Sequence, residues 1–466
     1  MKKYCIITVL ILSLVLNCIG QSLTYEQKYQ FYRERFNKYF IFRGMQPGES
    51  LPFRRTSDNF LWTDDLPNLL GLYIGVLATE YKLTKNSGKD ISGIVQELYY
   101  ALYALNRLDT YAADIGNTAR DGFLIREDVP ADFLKTTPPN NHYSELNQGI
   151  PGENYPQIIE VKTHNGRTLD AYRYGPNAAA LSMDHYTRVY LGLALVKKCV
   201  DENAAYAAFQ DGETSIKKEA MNIADRIITY MKNGGWFLWM PKNYPHNIIS
   251  LSGFVSNLKN CFHLMHVFNP IDEPCTNCPL ITGGGILAPR GCAPIEYCFG
   301  FSQAGKAITG KNYGDVITKL NFPLWKEVAE KNYLGLKAGQ KIYSETGNLS
   351  QVFILAAIGD SWKDRKNSTQ YYMHLVDQRN QDWRLYTLLH CALHDKEPIF
   401  NANDDKLIQW LDRAPDIGPN NNDDYYYTYN IFTFPSNTQH DKTSNYTMPG
   451  LDYMLLYNLY RINFFK

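Results

Sequence analysis

The sequence predicts an all-α protein, on three observations. Apolar residues recur at helical spacing along most of the chain, strand patterning is confined to one short segment, and no self-similarity appears at the period of the common helical repeats. No Pro/Ser/Gly-rich linker divides the chain. The expected architecture is therefore one domain over residues 21–466. About a dozen helices would pair as about six hairpins and close into a single (α/α) toroid with long loops and a few short strands.

The elements follow in order. Tyr29, Tyr32, Phe36, Tyr39 and Phe40 form a first apolar stripe, and Leu66 opens a second helix over 66–83. Ile91, Ile94, Leu98, Leu102, Leu105 and Leu108 line a third, and Met183, Tyr186, Tyr190 and Leu193 a fourth. Further helices are expected over 214–232, 252–267, 294–308, 323–333, 348–358, 369–377, 382–394, 404–412 and 451–463. The strand candidate is Trp236–Met240, after the turn Asn233-Gly234-Gly235. The longest stretch without helical pattern, 113–181, is too long for a simple connection. It predicts a lid, a small subdomain or an element hidden from periodicity. Loops around 41–62, 113–181, 233–250 and 267–293 would frame a cleft at one end of the ring.

Composition narrows the class. Lys+Arg and Asp+Glu both number 47, so the formal net charge is zero and no basic run offers a nucleic-acid footprint. Lys2 and Lys3 precede an apolar run, Cys5–Leu16, that is short for a membrane span, and Gly20 offers a small residue before Gln21. Residues 1–20 therefore read as a cleaved signal, and the protein as exported, periplasmic or secreted. Lipidation at Cys18 is not expected, because Asn17 is not the small residue such a site needs. No later run of about 20 apolar residues occurs, so no stable membrane insertion is expected.

Export permits disulfides. Cys275, Cys278, Cys292 and Cys298 cluster in a Cys/Gly-rich inserted loop at about 270–298 and are expected to form two bridges, with a small zinc site as the alternative. Four cysteines allow three pairings, and the sequence does not choose among them. Cys199, Cys261 and Cys391 fall in helical patterns and read as buried thiols.

Three short motifs stand near expected helix starts: Trp62-Thr63-Asp64-Asp65, Asp121-Gly122-Phe123 and Ser182-Met183-Asp184-His185. With its export signal and helix-rich pattern, the chain resembles the six-hairpin (α/α)6-toroid glycosidases and lyases of secreted bacterial carbohydrate metabolism. The resemblance spans most of the mature chain as architecture and these few residues as motif. It implies a cleft for an oligosaccharide or polysaccharide, with one or two acidic catalytic residues near the starts of inner helices.

Glycoside hydrolysis needs a proton donor and a second carboxylate. Asp184, with Ser182 as N-cap, sits where a helix dipole lowers a carboxyl pKa, as suits a base or nucleophile; the same position also serves simple dipole stabilisation. His185 adds a titratable ring and Tyr186 a stacking face. One of Asp64 and Asp65 is expected to cap the helix entered through Pro67, leaving the other for chemistry beside a Trp62 platform. Asp121–Pro130 sets Asp121, Glu127 and Asp128 among Phe123, Leu124 and Ile125. Apolar surroundings raise a carboxyl pKa toward that of a general acid, and Arg126 would lower it again. A plain turn and edge strand is the alternative there. The catalytic candidates are thus Asp184, Asp64, Asp65, Asp121 and His185. The substrate-binding candidates are Trp62, Arg126, Asp128, Tyr186 and Trp236.

No metal and no cofactor is expected. His390 and His394 lack the glutamate of the zinc-protease pattern and a nearby third ligand, and neither a G-x-S-x-G motif nor a phosphate-binding glycine loop occurs. Three functions remain open: glycoside hydrolase, polysaccharide lyase with His185 or Tyr186 as base and Arg188 as neutraliser, or non-catalytic glycan binder. An enzyme requires titratable side chains converging on one cleft; a binder requires only aromatic walls.

Overall fold

A computed structural model describes residues 23–56, 61–62, 66–116, 119–129, 159–162, 168–171, 183–233, 294–315, 318, 351, 353–359, 384–414, 446–447 and 449–465. Most of these residues are helical and strands are few among them, so the fold is all-α over these residues. Residues 1–20, the strand candidate Trp236–Met240, the helix candidates 252–267, 323–333 and 369–377, and Cys261, Cys275, Cys278 and Cys292 lie outside them.

Helix α1 (Tyr25–Tyr39) opens on a capping box. The Gln27 amide donates to the Thr24 hydroxyl oxygen (3.2 Å), and the Gln27 side chain accepts from the Thr24 amide (3.0 Å). Next come β1 (Arg54–Thr56), β2 (Leu61–Trp62), α2 (Leu66–Asn86) and α3 (Ser92–Gly116). A two-stranded hairpin, β3 (Ile159–Lys162) and β4 (Thr168–Ala171), occupies part of the long non-helical stretch; it was hidden from periodicity. α4 (Met183–Cys199), α5 (Ile216–Asn233), α6 (Pro294–Thr309), α7 (Arg384–His394), α8 (Asp405–Arg413), β5 (Tyr446–Thr447) and α9 (Leu451–Phe464) complete the described elements. The strands β2-β1-β5 form a small antiparallel sheet, with Arg54 opposite Trp62 and Arg55 opposite Thr447. It cuts into the expected loop at 41–62, where two- and three-residue strands leave no alternation to detect.

α2 is the centre of the packing. Its residues from Leu66 to Thr79 are buried on every face, as expected of a helix that is apolar all round, and it packs against α3, α4 and α9. Gly71 permits the approach to α4, since a Cβ there would meet the backbone of Arg188 and Val189. Tyrosine supplies much of the interior. Tyr32, Tyr73, Tyr81, Tyr186, Tyr190, Tyr386 and Tyr453 are among the largest fully buried side chains, and the rings of Tyr32 and Tyr453 lie 4.9 Å apart.

Polar contacts join α1 to the late part of the sequence. The buried Lys28 ammonium donates to the carbonyls of Leu411 (3.2 Å) and Ala414 (2.5 Å) at the C-terminal end of α8, where cations are favoured. Asn458 of α9 donates to the Tyr29 hydroxyl oxygen (3.1 Å) and to Thr79 Oγ1 (3.0 Å).

Cys199 and Cys391 lie buried in helices, as expected of buried thiols, and burial pushes the Cys199 thiol up to about 11. Cys298 lies within α6 and is buried.

Candidate functional site

The segment 119–129 turns back along α3 and is pinned at both ends. Asp109, near the end of α3, accepts the amides of Asp121 (3.1 Å) and Gly122 (3.0 Å) on Oδ1. Its Oδ2 meets Arg226 Nε of α5 at 3.1 Å. Gly122 has φ +98°, and a Cβ there would run into the backbone of Arg226 and Ile227. Glycine thus allows the turn to lie directly on α5. The Leu124 amide donates to the Tyr186 hydroxyl (3.0 Å), which in turn reaches the Gly122 carbonyl (3.5 Å). The start of α4 therefore meets the Asp121-Gly122 turn.

A cavity of about 540 Å³ opens between this turn and α5, lined by Arg120, Asp121, Asp225, Arg226, Thr229, Tyr230 and Asn233. Burial pushes the Asp121 carboxyl up to about 6; the hydrogen bond from the Phe123 amide (3.1 Å) opposes the shift, and the Asp109 charge adds to it. Asp225 moves the other way. Burial would raise it, but Lys311 Nζ (2.5 Å) and the Tyr313 hydroxyl (2.5 Å) hold its carboxylate below the usual range. Tyr230 is raised, first by burial and then by the Asp121 charge.

Beneath the cavity lies a polar network. Arg226 donates to Asn106 Oδ1 and stands 3.6 Å from Glu219 Oε1, which accepts from Asn106 Nδ2 at 2.6 Å. Burial raises the pKa of both Asp109 and Glu219 despite Arg226. At the rim, Arg120 reaches Gln210 Oε1 at 3.4 Å and Asp211 Oδ2 at 3.5 Å.

The expected site residues divide. Asp121 lines the cavity with a raised pKa, as its apolar neighbours Phe123, Leu124 and Ile125 predict. Asp128 instead turns inward. It is 0% exposed, pairs with Arg107 and accepts the Gly48 amide (2.8 Å), so it clamps the 45–49 loop to α3 rather than facing a substrate. Tyr186, also 0% exposed, is a scaffold for the turn, with no ring face open to a sugar. His185 and Arg126 are buried as well. Asp184 lies in the first turn of α4, and Trp62 on β2. Asp64, Asp65 and Trp236 lie outside the described residues.

Sequence reasoning passed over Arg120, Asp225, Arg226 and Tyr230. One signal was present: Asn106, Arg107 and Asp109 crowd polar groups around Leu108 in an apolar helix, so some of them had to face inward and find partners.

His390 and His394 both face one carbonyl. Nδ1 of His390 (3.4 Å) and Nε2 of His394 (2.8 Å) face the Ala357 oxygen. Lys396 Nζ lies 3.2 Å from His390 Nε2, which makes that nitrogen an acceptor and puts the proton on Nδ1. Among the described residues no group of three His, Cys, Asp or Glu side chains could hold a metal ion, and no helix is long and apolar enough to cross a membrane. Comparison with family models, curated proteins and solved structures finds no match.

Proposed function

We propose that this chain is an exported carbohydrate-active enzyme of the (α/α)-toroid kind, and that it hydrolyses glycosidic bonds in the cavity beside the Asp121-Gly122 turn. The observation that carries the reading is a pair of carboxyl groups on one cavity with pKa values driven apart: Asp121 up to about 6 and Asp225 below the usual range. Such a separation is how two like carboxyls take opposite roles. Asp121 is the proton donor to the leaving oxygen. Asp225, kept ionised by Lys311 and Tyr313, is the base or nucleophile. Hydrolysis is favoured over elimination because the cavity's tyrosine, Tyr230, is shifted away from the ionised form a lyase base requires.

The test is a glycan panel read for new reducing ends and for the ultraviolet absorbance of unsaturated products. Reducing ends without that absorbance are expected. Asp121→Asn should lower turnover by about 10²–10⁴-fold, the usual worth of a general acid, with the fold intact by circular dichroism. An Asp121→Asn variant as active as the parent would sink the assignment.

A further inference from the structure

The cavity presents cations where its acids are withdrawn. Arg120 and Arg226 line it, each with 18% of its side chain exposed. The carboxylates that could neutralise them lie below: Asp109 is 2% exposed and Glu219 0%. The two acids on the wall are compromised as anions for the arginines. Asp225 is bonded to Lys311 and Tyr313, and Asp121 holds its proton up to about pH 6. Arg226 is well served by Asp109, but Arg120 is not, since its contacts to Gln210 and Asp211 are 3.4 and 3.5 Å. Burial, and then the neighbouring Arg226 charge, depress the Arg120 pKa in spite of the Asp109, Glu219 and Asp211 charges, none of which makes a short ion pair with it.

One internal group stands where an anion belongs. Asp211 Oδ2 lies 3.5 Å from Arg120 and 3.9 Å from Arg226, beyond the roughly 2.7–2.9 Å of a charge-assisted hydrogen bond. It is held back by its own turn, where its Oδ1 accepts the Glu213 amide (3.2 Å). From this arrangement, and resting on the carbohydrate reading above, we infer that the substrate is an acidic glycan. Its carboxylate or sulfate seats between Arg120 and Arg226 and displaces Asp211 from that position. Arg120 is the specificity-determining residue, because its ion pair with Asp211 is long at 3.5 Å, whereas Arg226 holds Asp109 at 3.1 Å. Asp211 is the built-in competitor.

The experiment titrates the full mature protein with tetrasaccharides of oligogalacturonate, alginate and chondroitin sulfate. Each is paired with a neutral twin made by carboxyl reduction, with desulfation where needed. At least one acidic member should bind about tenfold or more tighter than its twin, the size of one charge-assisted contact. Arg120→Gln should erase that preference by weakening the acidic member at least tenfold more than its neutral twin, and Arg120→Lys should restore part of it. Asp211→Asn keeps the turn's acceptor and removes the competing charge. It should tighten the acidic ligand severalfold and leave the neutral one alone. Equal binding of acidic and neutral twins, or a preference that survives Arg120→Gln in a folded variant, overturns the inference but leaves the carbohydrate reading standing. Failure of the whole panel to bind or react overturns both.

Discussion

Asp109 and Arg226 fasten the Asp121-Gly122 turn to α5 from beneath. One carboxylate oxygen of Asp109 takes the amides of Asp121 and Gly122, and the other takes the Arg226 guanidinium at 3.1 Å. A single buried acid thus sets both the backbone that carries Asp121 and the helix that carries Asp225. Asp109→Asn keeps the shape but withdraws the charge from Arg226. We expect a loss of about 1.5–3 kcal/mol, the worth of hydrogen bonds to a charged group, measured by denaturant unfolding. A loss within about 0.5 kcal/mol, as for an ordinary surface substitution, would contradict this role.

Gly122 carries two constraints at once, a left-handed φ and contact with the α5 backbone. Gly122→Ala should therefore cost more than about 1 kcal/mol, and it should lift the turn from α5. The Asp121 carboxyl, titrated by carbon-detected NMR, would then fall from about 6 toward the ordinary value as water reaches it. An unchanged titration would show that the glycine does not set its burial.

The raised Asp121 carboxyl makes a signed prediction about pH. Its proton is held more tightly in the folded protein than in the unfolded chain, so its contribution is fully present below about pH 4 and is lost as pH rises through about 6. Asp121→Asn should match the parent in stability near pH 4 and exceed it at pH 7. Asp109 and Glu219 are raised too, so the variant's profile should flatten without becoming level. Parallel stability curves for parent and variant between pH 4 and 7 would refute the shift.

Tyr186→Phe separates scaffold from sugar platform. The ring is kept, while the buried Leu124 amide loses its acceptor, at a cost of about 1–3 kcal/mol. Thermal unfolding should register that loss. A stacking role would instead leave stability alone.

How much of this was visible beforehand follows the range of the interactions. The stripe of Leu98, Leu102, Leu105 and Leu108 is local and periodic, and all four are buried in α3 as written. The burial of Asp121 could be read because a turn dipeptide followed by three apolar residues specifies its surroundings within a few positions. The companions of Asp121 on the cavity could not. Arg226 and Asp225 sit on α5 more than a hundred residues away, on a helix whose pattern says only that they avoid the main apolar face. Aromatic content misled for a related reason. Composition does not reveal whether a tyrosine stacks on a ligand or, like Tyr186, donates its hydroxyl to the protein's own backbone.

The contacts of α1 have a consequence for the order in which the chain acquires its structure. Asn458 and Tyr29, 429 residues apart, share a hydrogen bond, and Tyr32 packs on Tyr453. During synthesis α1 first meets α2 and α3, where Arg33 pairs with Glu80 and Glu97 and Phe36 packs on Tyr73, while the part of it that faces α9 waits until that helix follows. Tyr29 and Tyr32 lack the Tyr457 and Tyr453 rings through that interval, a long-range closure of the kind that slows folding and invites chaperone binding. Nascent chains stalled before residue 450 should be cut by protease within α1 faster than chains carrying α9. Equal cleavage in the two would show that α1 finds its shelter elsewhere.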